Sequence, residues 1–364
     1  MKRIKVDQKR LINTFLKMVK IDSESGEEAT FAKYVNNLAK KLEYTSKIDA
    51  YGNVIISVNG KTNEEPILLN THMDTVVPGK GIRPKIKNIN GSKYITSSGN
   101  TILGADPKAT IAAIFEVLYL LKETNTPSRP FEISLTCQEE TGIPTANKIK
   151  TNLKYCIVPD RGTPLGEYVT EAPFAQVFSV KVHGKKSYAY TEFEKGRHAI
   201  LATNSLINSL KFGNISKNTV ANIGIIRGGE MTSVVPDYAE IKASCYSFDK
   251  NEFDQYFDLL NKATRKTDKE YQTRSEIEML EYFPGFSLAP STPVVKLAKK
   301  AIQKTGFIPK HKKYMAVSNA NLLNSIDIQT VLISYGAENQ HTIEEKISIR
   351  TLEKLSEIIL NTVI

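Results

Sequence analysis

The stretch Pro66-Ile67-Leu68-Leu69-Asn70-Thr71-His72-Met73-Asp74 decides how this chain is read. A short apolar run of this length reads as a buried strand. It closes on an imidazole and a carboxylate, the residue types that an α/β sheet presents at its carboxyl edge when it binds a ligand. Working outward, residues 53–58 form a second β-like run, 111–122 a helix, 131–138 a strand and 155–158 another. Strands alternating with helices place the fold in the α/β class, a central sheet flanked by helices.

Upstream, residues 8–44 read as two amphipathic helices broken at Asp22-Ser23-Glu24-Ser25-Gly26, with Ser25-x-x-Glu28 as a capping box for the second. The middle has a different rhythm. Residues 176–182, 222–227 and 238–247 read as strands, and 196–210 and 251–267 as helices. That is the β-α-β-β-α-β order of an inserted α+β, ferredoxin-like domain. After Pro284-Gly285 the α/β pattern resumes with a helix at 292–305, a strand at 329–334 and a last helix from Arg350. The expected division is therefore 1–174 and 284–364 as a catalytic, metal-binding domain, with 175–283 as an inserted lid.

At 364 residues the chain is long enough for two such domains, and 41% hydrophobic against 24% charged residues is an ordinary globular composition. No apolar stretch is long enough to span a membrane. The basic N-terminus is broken by Asn13, Thr14, Lys17 and Lys20, which suits an amphipathic helix better than a signal peptide. Three scattered cysteines make no disulfide framework and suit a reducing cytoplasm. The excess of 49 basic over 39 acidic residues is dispersed among helix-like stretches, so a lysine-rich solvated surface is the reading and nucleic acid is not an expected partner.

The chemistry gathers at element ends. His72 and Asp74 close one strand, Glu139 and Glu140 another, and Asp160 a third; Asp106 precedes a helix and His341 follows the 329–334 strand. Imidazole and carboxylate donors on rigid elements are what a divalent-metal site with an open coordination position requires. Taken singly, an H-x-D pair or a Glu-Glu pair is more often a solvated surface feature, and spacing alone leaves the metal reading and the bland one equally open.

The strings themselves carry a resemblance. Asn70-Thr71-His72-Met73-Asp74-Thr75-Val76 resembles the N-T-H-x-D-T-V motif of the peptidase T-like two-zinc aminopeptidases, carboxypeptidases and deacylases. Leu103-Gly104-Ala105-Asp106-Pro107-Lys108-Ala109 resembles their L-G-A-D-D-K-A, Gln138-Glu139-Glu140-Thr141-Gly142 their Q-E-E-x-G, and Asn339-Gln340-His341-Thr342 their closing N-x-H-T/S block. The similarity runs nearly end to end. It implies two divalent ions, Zn²⁺ first and Mn²⁺ or Co²⁺ as alternatives, bridged by Asp106. His72 and Asp160 would complete one set of ligands, Glu140 and His341 the other. Asp74 would orient the His72 ring, and Glu139 would be the general base. Relatives have a cis peptide after the bridging aspartate, and Pro107 suits such a bond.

The departures lie elsewhere. Tyr188 stands where the family has a lid histidine, Ser233 replaces asparagine, Tyr246 replaces an arginine associated with substrate carboxylate, and Asn319 replaces aspartate. These four positions are the expected substrate-binding residues, and losing the histidine, asparagine and arginine together removes donors suited to an anionic peptide terminus. The implied activity is hydrolysis of an amide bond in a small peptide, tripeptidase or aminopeptidase in type, with altered preference. A deacylase of N-acyl amino acids and a catalytically silent peptide-binding relative are the rival readings. A homodimer through the lid is compatible with the family, and no residue of this chain argues for or against it.

Overall fold

Ile67–His72 runs fourth in an eight-stranded sheet, and every one of its residues is buried. In this computed structural model, which describes residues 4–142 and 144–364, the sheet order is Thr45–Ile48, Val54–Val58, Phe131–Thr136, Ile67–His72, Tyr155–Arg161, Gln329–Ser334, Glu167–Val169 and Lys310–Lys312. The four strands from Phe131–Thr136 to Gln329–Ser334 are mutually parallel, which points their carboxyl ends the same way. Antiparallel pairing is confined to the flanks.

Parallel neighbours need a crossover, and Ala105–Thr124 supplies the one between Ile67–His72 and Phe131–Thr136. Its Ile111, Ala112, Ala113, Ile114, Phe115, Val117 and Leu118 are all buried, because the helix lies under the sheet and packs against both Gln8–Val19 and Ile349–Val363. Its first turn is irregular. Gly104 adopts φ +71°, Asp106 has the non-helical angles φ −81° and ψ 110°, and the Asp106–Pro107 bond is cis as expected. A second cis bond, Val77–Pro78, was not anticipated.

The chain forms two units. One runs to Thr170 and resumes over Ser287–Lys313 and Ser318–Ile364; the other is Glu171–Phe286 with Tyr314–Val317. The second unit is a five-stranded antiparallel sheet ordered Gly213–Asn214, Thr219–Gly228, Tyr238–Ser247, Phe174–His183 and Arg274–Phe283. Helices Ala199–Asn208 and Lys250–Tyr271 share a core with it, built from Phe178, Val180, Val182, Leu206, Ile241 and Leu260. Apart from the two-residue strand, this is the expected β-α-β-β-α-β order.

One sequence expectation needs correction. The capping box at Ser25 and Glu28 does not form: Glu28 is the N-cap of Ala29–Lys41 and makes no side-chain cap bond, because both side chains are engaged elsewhere. A three-stranded sheet of Pro84–Ile89, Ser92–Ser97 and Lys346–Ser348 was also missed. Its hairpin turns at Asn90-Gly91, both at positive φ, the signature of a two-residue hairpin loop.

Candidate active site

The carboxyl ends of the parallel strands build the site. His72 is the last residue of its strand and pairs with Thr136, three residues before Glu139. Asp160 lies within Tyr155–Arg161 at a register shift, where Ile333 opposes Pro159 and Ser334 opposes Arg161. Such a bulge re-aims the side chain it leaves unpaired. His341 follows Gln329–Ser334 on a loop and adopts φ +64°, a conformation uncommon outside glycine and frequent at functional sites.

Asp106 joins two groups of donors. Its Oδ1 lies 3.1 Å from His72 Nε2, which is also 3.2 Å from Asp160 Oδ1. Its Oδ2 lies 3.3 Å from His341 Nε2, which is 2.9 Å from Glu140 Oε1. One carboxylate thus offers one oxygen to each histidine. A third combination, His72 with Glu139 and Glu140, also brings its donor atoms within 4.8 Å of one another. Glu139 therefore sits at the cluster, yet it joins neither of the two groups that share Asp106.

Behind His72, Asp74 is fully buried and accepts from four donors. His72 Nδ1 is 3.3 Å and the Glu139 N–H 3.1 Å from Oδ1; the Ser25 hydroxyl is 2.6 Å and the Glu140 N–H 3.0 Å from Oδ2. Burial opposes its charge, but the bonds from His72 and Ser25 hold Asp74 below its ordinary value. With Nδ1 directed at Asp74, Nε2 of His72 faces Asp106 and Asp160 and is the ring nitrogen that would be available to a metal ion.

Electrostatically the cluster is short of positive charge. Four carboxylates, Asp106, Asp160, Glu139 and Glu140, surround two imidazoles. Burial drives Glu139 well above the usual carboxylate range, pushes Asp160 up to about 6 and raises Glu140. Burial opposes the charge of Asp106 as well, yet bonds to His341 and His72 hold it low. Bonds to Asp106 and Glu140 in turn lift His341 to about 10. Buried carboxylates in such excess need paired cations, and oxygen and imidazole donors in two sets with a shared carboxylate fit two divalent ions.

Reading the sequence missed Glu345. Nearly inaccessible at 1% exposure, it accepts the Gly104 N–H at 2.7 Å and the Asp106 N–H at 2.9 Å, and burial pushes it up to about 7. In sequence it is half of an unremarkable Glu344-Glu345 pair. The only signal was its spacing, four residues beyond His341.

The expected substrate-binding residues fall in separate places. Asn319 belongs to the first unit, where it is buried and donates through Nδ2 to Thr136 Oγ1 at 2.9 Å. Tyr188, Ser233 and Tyr246 belong to the second unit. Tyr188 is half exposed, packs edge-on against Tyr190 at 5.5 Å between ring centroids and bridges Val234. The Ser233 carbonyl accepts the Ala189 N–H, and Tyr246 is half-buried in Tyr238–Ser247.

A cluster of two histidines and four acids at the carboxyl edge of an α/β sheet suits metal-dependent hydrolysis, and comparison with known proteins gives the family. Residues 68–364 match Peptidase family M20/M25/M40, and the chain belongs to that family. The Bacillus subtilis (strain 168) "Uncharacterized protein YqjE" is 32% identical over 366 residues, 98% of each sequence. Among solved structures, aminopeptidase PepT from Bacillus cereus ATCC 10987 is 33% identical with a TM-score of 0.89, and a tripeptidase from Staphylococcus aureus subsp. aureus Mu50 is 29% identical with a TM-score of 0.93. Each covers 98% of this chain and is itself covered to 98%.

Proposed function

We propose that this protein is a two-metal hydrolase that cleaves an amide bond in small peptides. The observation that carries the reading is the Asp106 carboxylate, one oxygen facing His72 and the other facing His341, with Glu139 beside the pair. Asp106, His72 and Asp160 would hold one ion, Asp106, Glu140 and His341 the second, with Zn²⁺ the first candidate. When bound, two such ions polarise a carbonyl and acidify a water molecule.

The chain's own groups do the rest. Asp74 fixes the His72 ring through Nδ1. Glu139 takes the proton of the attacking water and passes it to the nitrogen of the leaving amine, so that one C–N bond breaks as one C–O bond forms. The names of the Bacillus cereus and Staphylococcus aureus structures, an aminopeptidase and a tripeptidase, support small peptides as the substrate class. Three free, buried thiols suit a reducing compartment such as the cytoplasm, and no helix among the described residues is long and apolar enough to cross a membrane.

The test is a panel of dipeptides, tripeptides and N-acyl amino acids assayed with Zn²⁺, Mn²⁺ or Co²⁺. Chelator-sensitive release of an amino acid from a peptide is the expected outcome. Cleavage confined to N-acyl amino acids, or no cleavage of any member, overturns the reading.

A further inference from the structure

Glu139 and Glu140 leave the sheet on a turn that is held from outside it. Gln138, just before them, adopts φ +59°, a left-handed conformation that residues with a Cβ seldom take unsupported. Its own backbone N–H and the two that follow all end on carboxylates. That of Gln138 donates to Glu28 Oε1 at 3.0 Å, that of Glu139 to Asp74 Oδ1 at 3.1 Å, and that of Glu140 to Asp74 Oδ2 at 3.0 Å.

Both carboxylates are tied to the break between the first two helices. Ser25 donates its hydroxyl to Asp74, and the Gly26 N–H shares Glu28 Oε1 with Gln138, at 2.9 Å. The same segment is laced to the turn after His72. Ser23 Oγ donates to the Met73 carbonyl at 2.8 Å, the Thr75 N–H donates to the Ser23 carbonyl at 2.9 Å, and the Ser25 N–H donates to the Thr75 carbonyl at 3.3 Å. Glu28 is only 4% exposed. Residues 23–28 contain no metal-ligand candidate and lie outside the 68–364 stretch that matches the family.

We propose that residues 23–28 are a positioning element of the active site: Glu28, through the Gln138 amide, and Ser25, through Asp74, set the direction in which the Glu139 and Glu140 side chains leave the backbone. Hydrogen bonds that end on carboxylates are among the stronger ones, and two carboxylates gripping three successive amides leave the turn little freedom. A general base tolerates little error in placement, since a shift of about 1 Å can cost about 10²-fold in rate. A deformed turn would move Glu139 without removing any group that contacts substrate. The inference rests on the proposed hydrolase only in taking Glu139 as the base.

The experiment compares wild type with E28A, E28Q and S25A, all reconstituted with Co²⁺. Cobalt content, kcat, KM and deuterium uptake of peptides spanning 136–141 are measured. E28A is expected to hold cobalt less tightly, because Glu140 moves with Glu139, and at saturating Co²⁺ to keep a KM within about twofold of wild type, to lose at least tenfold in kcat and to exchange faster over 136–141. E28Q keeps an amide oxygen for both N–H groups and should recover to within about threefold of wild-type kcat; S25A should lose about three- to tenfold. Wild-type kcat in E28A with only a lowered melting point overturns the proposal, as does E28Q being as impaired as E28A. If E28A does not fold, S25A decides, and an unchanged kcat there overturns it. If wild type cleaves no peptide, the hydrolase reading fails separately. Exchange then still decides the clamp, unaltered uptake in E28A refuting it.

Discussion

The Glu345 carboxylate accepts the backbone N–H of Asp106 at 2.9 Å, so the loop that carries His341 also fixes the point from which the shared aspartate projects. Its other oxygen takes the Gly104 N–H. Glu345→Ala orphans two buried amides, at a cost of about 1–3 kcal/mol each. The expected result is a loss of roughly 2–6 kcal/mol in urea unfolding together with weaker metal retention. Glu345→Gln, which keeps one acceptor, should lose about half as much. A wild-type unfolding midpoint in the alanine variant would refute this role.

Glu139→Ala is expected to lower kcat by about 10²–10⁴-fold, the usual span for a general base, with metal content unchanged. His72→Ala and His341→Ala should instead reduce metal content directly, each removing the imidazole of one donor group. Elemental analysis separates the two classes. Equal loss of metal in Glu139→Ala would make it a ligand, and full occupancy in both histidine variants would end the ligand assignment.

Tripeptides with a free carboxylate should be poorer substrates than neutral or blocked ones. The warrant is the matched-position exchange of arginine for Tyr246 and of histidine for Tyr188, which leaves phenols where cations stand in the family pattern. A ratio of kcat/KM favouring free carboxylates would show that another residue supplies the charge.

Burial pushes the thiols of Cys137 and Cys245 up to about 12, and raises Cys156 as well. A raised thiol pKa means less thiolate at any working pH, and a pKa near 12 leaves a thiolate fraction of about 10⁻⁴ at pH 8. The native protein should therefore release almost no colour from a disulfide reagent at pH 8. In denaturant all three cysteines should react. Rapid native labelling of any one would show that its segment opens readily.

Much of this was legible because strand ends and residue types speak locally. The apolar runs before His72 and Glu139 mark buried parallel strands, and the imidazole and carboxylates at their ends fit the carboxyl edge of a sheet. What stayed hidden depends on contacts distant in sequence. Glu28 and Glu345 look like helix-start and surface acids, and only the fold shows that their partners are backbone amides of Gln138, Gly104 and Asp106. Ser25 with Glu28 fits a capping pattern, but tertiary bonds to Asp74 and Gln138 outcompete the local one. The strand Arg274–Phe283 was implied by topology yet not located. It is a sheet edge whose mostly exposed residues include Arg274, Glu276 and Glu278, leaving little apolar periodicity to read. Asn90-Gly91 is a hairpin signal that the sequence itself carries.

The strand Gln329–Ser334 pairs with Tyr155–Arg161 although the whole second unit intervenes in sequence. During synthesis the second unit is therefore complete before the sheet of the first can acquire that strand, and His341 emerges later still. A nascent chain carries His72, Asp106, Glu140 and Asp160 while one half of the cluster lacks its imidazole. On the proposed reading, hydrolytic competence waits until residue 341 has been made, and a chain that stops short of it keeps its acids without that imidazole.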